Sequence, residues 1–166
     1  MHTNWYVRCQ KTTAGHAVVD EIIAKGVQQK WVQPLRDAED PIDVLVRIVQ
    51  SESVKREDVE RGCPLLNLSQ EMSGIDEGFR KRTAKLFKTW HDAIAEALSQ
   101  GQKRRLVRND INANETATFL IATYEGYVVL GKNWQDPRTM LSGQRRITGQ
   151  IESLRPARIT RERSRG

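Results

Sequence analysis

The chain is poor in the residues that cross-link or punctuate a fold. Only two of its 166 residues are cysteine, Cys9 and Cys63, too few for a disulfide framework. Five prolines and eleven glycines leave long uninterrupted runs, which favour helices over a turn-rich β architecture. No segment alternates polar and apolar residues over a strand's length, so the expected class is all-α. No apolar run is long enough to span a bilayer, and Met1–Gln10 lacks the apolar centre of a secretory signal; the expected setting is a reducing cytoplasm, with no membrane partner. Equipment for catalysis is also scarce. The three histidines, His2, His16 and His91, stand in no metal-ligand spacing, and neither a phosphate-cradling glycine loop nor a nucleophile elbow occurs. The expectation is therefore no metal, no cofactor and no catalytic residue.

What is present describes a folded body. Hydrophobic residues make up 38% and charged ones 29%, the balance of a globular chain rather than a disordered one. The net charge of +6 is unevenly placed: Arg155–Gly166 holds five arginines against one acid, Glu162. The rest is close to neutral and does not make a strongly basic nucleic-acid surface. Residues 157–166 read as a basic tail and residues 1–14, which show no period, as an irregular lead-in.

One stretch organises the remainder. Ala117–Gly131, ATFLIATYEGYVVLG, carries a single formal charge, Glu125, and its apolar residues cover most of a helix's circumference. A helix apolar all round is buried all round. That places its own core on one side and a second subunit on the other, or else makes it the central helix of a monomeric bundle. Asn112, with Glu115 three residues on, opens it as a capping box. The final helix starts at Asp136-Pro137 and repeats Met140, Gln144, Ile147, Ile151 and Leu154 at heptad spacing. A short link at Asn133–Gln135 makes the two an antiparallel hairpin, and two such hairpins would form a four-helix bundle across a twofold axis. The expected dimer face is Ile121, Glu125, Val128, Gln144, Ile147 and Ile151. Glu125 is expected to pair across the interface or sit at its rim, because an unpaired buried charge is costly.

Earlier helices are expected at His16–Trp31 and stopped by Pro34, at Asp40–Glu52 with Asp40 as N-cap, at Pro64–Met72, and at Asp76–Gln100 with Gly101 as the stop. Ser53–Arg61 reads as a polar loop. Bulky groups on different helices can either line an apolar ligand pocket or fill the core. The candidate lining is Trp31, Val49, Leu66, Met72, Phe87, Trp90 and Tyr124, with Thr83 and Thr123 as hydrogen-bonding groups. Cys63, before Pro64, reads either as a reactive thiol at a helix N-terminus or as a small buried residue at a turn. His91 and Asp92 are neighbours on a helix, about 100° apart, and are not expected to form an orienting pair.

The segment Gly62–Arg80, GCPLLNLSQEMSGIDEGFR, resembles the C-terminal, ligand-sensing domain of TetR-type transcriptional repressors. Gly15–Ile23, Pro34-Leu35 with Asp40-Pro41, and Ala117–Lys132 support it, so the resemblance covers about residues 15–156. It implies a helical bundle whose last two helices form the homodimer and whose earlier helices surround a small apolar or amphipathic effector, without catalysis. It also implies DNA binding through a helix-turn-helix placed before this region. Met1–Ala14 is too short for three helices, so DNA binding, expected for the family, is not expected of these residues. The alternatives are a stand-alone dimeric interaction module that pairs with full-length relatives, and a small enzyme using the interior cavity through Cys63 or His91.

Overall fold

A computed structural model describes residues 13–157, and every regular element among them is helical. The lead-in expected at residues 1–14 and the tail expected at 157–166 fall outside the described residues, apart from Thr13, Ala14 and Ala157 at their edges.

Helix α1 (residues 13–36) is continuous, with α-helical turns at Thr13–Ala17, Ala24–Val27 and Gln33–Arg36 alternating with π-helical stretches at Val18–Ile23 and Gln28–Val32. Pro34 does not stop it. The proline falls in the first positions of the last α-helical turn, where the preceding π turn has already left i→i−4 bonding. Helix α2 (Pro41–Gln50) begins at Asp40, whose side chain accepts from the N–H groups of Ile42 at 2.8 Å and Asp43 at 3.3 Å. The stretch expected as a loop contains α3 (Arg56–Arg61). Ser53 Oγ donates to Asp58 at 2.5 Å, Arg56 donates to Glu60 at 2.8 Å, and Val59 is its one buried anchor. Helix α4 (Pro64–Met72) follows, then α5 (Glu77–Lys103), capped by Asp76, which accepts from Phe79 N–H at 2.8 Å. Gly101 does not end α5. It is a packing point, since a Cβ there would lie 2.6 Å from Val107 Cγ2 and 2.8 Å from Pro41 Cγ. Asn112 and Asp136 cap α6 (Ala113–Trp134) and α7 (Pro137–Glu152). Each such cap stabilises its helix by about 1 kcal/mol.

The helices pack as a bundle: α6 lies on α5 and α7, α7 also on α2, and α4 and α1 on α5. Leu45, Ile94, Leu98 and Ile151 are fully buried where α2, α5 and α7 converge. Beyond α7, Arg155 returns to α2 and pairs with Asp40 at 2.7 Å and Asp43 at 2.5 Å. Burial alone would raise Asp40's pKa; the Arg155 guanidinium and the two capped N–H groups outweigh it and hold the carboxyl below its ordinary value.

Within this chain helix α6 is covered on one side: Phe119 is 51% and Leu130 41% exposed, and Ala122, Gly126 and Val129 share their outer side, which leaves a face open of the kind expected to meet a second subunit. The expectation for the heptad seam is corrected: it meets the chain's own helices. Met140, Ile147, Ile151 and Leu154 are buried within this chain. Gln144 donates to the carbonyls of Val49 at 3.2 Å and Glu52 at 2.9 Å at the end of α2. Of the residues expected at a dimer face, Glu125, Val128, Ile147 and Ile151 are interior, Gln144 is bonded to α2, and Ile121 is half-buried. A seam at threes and fours packs on whichever helix lies beside it, and here α2 and α6 of the same chain do.

The tightest approach within the hairpin is Gly143 beneath Tyr127, where a Cβ would lie 2.5 Å from Tyr127 Cγ and 2.8 Å from its Cβ. Those atoms sit at the base of the side chain and cannot swing aside. Gly143→Ala should therefore lower stability by about 1–3 kcal/mol in urea denaturation, despite alanine's better helix propensity. An unchanged midpoint would show that the two helices do not approach this closely.

Candidate functional site

A cavity of about 700 Å³ lies among α1, α3, α4 and α6. Helix α1 forms the longest wall, with Val18, Ile22, Gly26, Lys30 and Trp31. Leu65 and Leu68, three residues apart and so on one face of α4, form another. Val59 of α3, Trp90 of α5, Tyr124, Glu125 and Val128 of α6 and Met140 of α7 complete the enclosure. Between α3 and α4 the chain turns at Gly62, whose φ of +66° favours glycine and whose Cβ would lie 2.9 Å from Lys132 Cδ. That turn delivers Cys63 to the cavity wall.

Three aromatic rings make the inner wall. Trp31 and Trp90 lie 4.6 Å apart between centroids, and Tyr124 meets both edge-on at 5.6 and 5.7 Å. A polar network closes one end. Lys30 forms an ion pair with Glu52 and donates to the Tyr124 hydroxyl at 3.0 Å; that hydroxyl donates to Glu52 at 2.6 Å. The Lys30 ammonium also stands 5.3 Å from the Trp31 ring and 5.2 Å from the Tyr124 ring, within cation–π range. Burial, with the charge of Glu52, pushes the Tyr124 phenol far above its ordinary value, so the hydroxyl stays protonated and donates.

Glu125 is the exception in this network. It is 5% exposed, and neither carboxylate oxygen has a hydrogen-bond partner among the described residues. Burial pushes its pKa up to about 7, opposed by the Cys63 thiol and the Lys30 charge and reinforced by Glu52. The buried Nε1 of Trp90 is likewise unpartnered among them. Burial, and then the charge of Glu125, push the Cys63 thiol up to about 12. Cys63, half-buried at the turn, is a thiol rather than a thiolate, which does not fit an activated nucleophile.

The structure places Trp31, Trp90 and Tyr124 of the expected lining on the cavity wall and the other four elsewhere. Val49 borders a small packing gap beneath the aromatic wall, with Leu45 and Ile94. Phe87 stacks behind Trp90 at 6.3 Å, Met72 is core at the far end of α4, and Leu66 is half-buried off the wall. The Thr83 hydroxyl bonds back to Phe79 O at 2.9 Å on its own helix, and Thr123 is not on the wall. His91 does meet Asp92, at 3.2 Å, because side-chain torsions span the angular offset, and its other nitrogen lies 3.1 Å from Asn114 O; both contacts are away from the cavity. Sequence reasoning did not place Lys30, Glu52 or Cys63 in the lining, and it put Glu125 at a subunit interface. The one available signal was Glu125's isolation as the sole charge in an apolar helix.

A profile of the family described as tetracyclin repressor-like, C-terminal domain, matches residues 45–147. The chain is 28% identical over 69 residues to the HTH-type transcriptional repressor DhaR of Mycobacterium sp. (strain GP1). That match covers 42% of this chain and spans about a third, 35%, of the repressor's length. The fold is similar to that of a crystallised TetR transcriptional regulator from Chloroflexus aurantiacus, with a TM-score of 0.70 and 22% identity over 83% of this chain and 70% of that one.

Glu125 makes stability depend on pH. Its folded pKa lies above its unfolded value, so the folded state holds the extra proton; the favourable contribution is complete below about pH 4 and is lost as pH rises through about 7. Glu125→Gln should melt at a higher temperature than the wild type. The advantage in unfolding free energy, and with it in melting temperature, should widen between pH 5 and pH 8, the former by on the order of 3 kcal/mol. A difference in melting temperature that stays constant across that range would show that Glu125 is not a buried, proton-holding carboxyl.

Proposed function

The chain belongs to the tetracyclin repressor-like C-terminal domain family of transcriptional regulators, which are not enzymes, and on that premise we propose that residues 13–157 are the effector-sensing and pairing part of a TetR-type repressor working in the cytoplasm. The observation that carries the reading is the cavity itself: about 700 Å³, walled mostly by apolar side chains with a few polar ones, and partly open to solvent beside Ile22 and Arg61. Sites of that size and character enclose drug-sized molecules rather than isolated waters. No helix among the described residues is long and apolar enough to cross a membrane.

The effector acts through α1. This helix forms the longest cavity wall and continues toward the N-terminal side of the chain, where its first half is held on α5 by Arg82–Asp20 at 2.9 Å. A guest that loads the α1 wall shifts that helix, and the shift is the signal. Base reading is not assigned to these residues.

Pairing uses the outer face of α6. Phe119, Ala122, Gly126, Val129 and Leu130 recur at helical spacing along its outer side, with Leu141 of α7 exposed as well. Gly126 stands in the middle of this stripe, and a Cβ added there would meet nothing within 4 Å, so a second helix can approach closely. This face replaces the heptad seam as the homodimer surface.

Each half of the reading has its own test. The neutral fluorophore N-phenyl-1-naphthylamine should bind the wild type at one equivalent per chain. Gly26→Trp fills the cavity from α1, at a position with open space around it, and should abolish that binding while leaving the circular dichroism spectrum unchanged. Failure of the wild type to bind the fluorophore would remove the cavity as a ligand site. For pairing, Gly126→Arg should sediment as a monomer with full helicity where the wild type sediments as a dimer. An intact dimer in the variant would remove this face as the interface.

A further inference from the structure

We infer that the guest of this cavity is an amphipathic amine, its apolar body lying against Trp31 and Trp90 and its protonated nitrogen paired with Glu125. The inference rests on the cavity being an effector site, as proposed above, and adds the chemical class of the effector.

The charge count of the wall supports it. Among the described residues, five charged side chains line the cavity: Lys30, Arg61, Glu52, Asp58 and Glu125. Lys30 is paired with Glu52, and Arg61 lies 3.6 Å from Asp58. Two cations are thus matched to two carboxylates, and Glu125 is left over with neither oxygen bonded among the described residues. A buried carboxylate without a partner is among the most costly groups a fold can hold, and a cationic donor removes most of that cost. An anionic guest would add a second unmatched negative charge. A neutral guest would leave Glu125 as it is or hold it protonated.

The surroundings select for a cation in a second way. Aromatic faces attract cations, and Lys30 already exploits the Trp31 and Tyr124 rings from the Glu52 end. Lys30 is bonded to Glu52 and Tyr124, so its charge acts on Glu125 without a hydrogen bond to it. The groups facing Glu125 are Cys63 from the α3–α4 turn, Lys30 from α1, Glu52 from the end of α2 and Tyr124 from α6. The thiol and phenol stay protonated well above neutrality, whereas burial pushes Glu125 up to about 7.

The test is a matched pair of fluorescent probes, dansylcadaverine with its free amine and the same molecule N-acetylated to a neutral amide, titrated into the wild type and Glu125→Gln at pH 6 and pH 8. The amine should bind the wild type at least about tenfold more tightly than the amide at pH 8, with a smaller advantage at pH 6, as the carboxyl gains its proton. Glu125→Gln should bring the two probes to near equality at both pH values, while still binding N-phenyl-1-naphthylamine, which shows the cavity intact. Should the variant not fold, the pH dependence of the wild-type preference decides alone. Equal or tighter binding of the amide by the wild type overturns the amine inference and leaves the cavity reading standing. Survival of the preference in Glu125→Gln overturns Glu125 as its counter-ion. Binding of none of the three probes removes the cavity reading and this inference together.

Discussion

Tyr124 is the joint on which the cavity depends. Its ring meets Trp31 of α1 and Trp90 of α5 edge-on, and its hydroxyl joins Lys30 of α1 to Glu52 beyond α2. One side chain from α6 therefore fixes three other parts of the bundle around a space that the hydrophobic effect alone would close. Close packing is the default of a protein interior, and a space of several hundred cubic ångströms persists only if its walls are held apart. Here the struts are a charged hydrogen bond, a half-buried ion pair and three large rings, all converging where α1 crosses α5 and α6. Gln144 braces the same corner from α7 by donating to the carbonyls of Val49 in α2 and of Glu52 just beyond it.

Helix starts are legible in the sequence because capping is local chemistry. Asp40, Asp76, Asn112 and Asp136 each bond the N–H groups that local spacing assigns to them. Helix α3 is not legible, because Val59 is the single buried residue of REDVER and one residue has no period. The end of α1 is hidden because Pro34 stops an ordinary helix, whereas this one approaches it through a π turn. The same distinction governs the site. Trp31, Trp90 and Tyr124 can be found because large rings on separate helices have few places to go. Lys30 and Glu52 cannot, since a lysine and a glutamate on amphipathic helices look like solvent-facing residues until their partner is known.

The hairpin shows a limit of a different kind. Periodicity says that a side chain is covered, not by which chain. Met140, Ile147 and Ile151 recur as a seam would in a subunit interface, yet the covering helices are α2 and α6 of the same molecule. The truly exposed stripe on α6 is less regular and contains Ala122 and Gly126, which contribute little hydrophobicity to any pattern. Small residues matter at a helix contact through how close they let two backbones come. Hydropathy does not record that quantity, which is why the stronger pattern points inward and the weaker one outward.

Glu125 stands out in the sequence as the lone charge of the central helix, and the physical expectation about it is right in kind but wrong in place. A buried carboxylate needs a partner; a second subunit was expected to supply one. Glu125 instead lines the cavity, with the Cys63 thiol as its nearby donor and Lys30, Glu52 and Tyr124 around it, and neither oxygen is in hydrogen-bond geometry with a described residue. A binding domain gains from this conflict. A group that weakens the unliganded fold is one whose satisfaction a guest can convert directly into affinity. It also gives a guest that satisfies it a free-energy advantage over one that merely fills the space. The helix that Lys30 and Trp31 bring to that group is α1, the same helix whose first half is moored to α5 by Asp20 and Arg82. On the proposed reading, the local conflict and the path for a conformational signal share this one element.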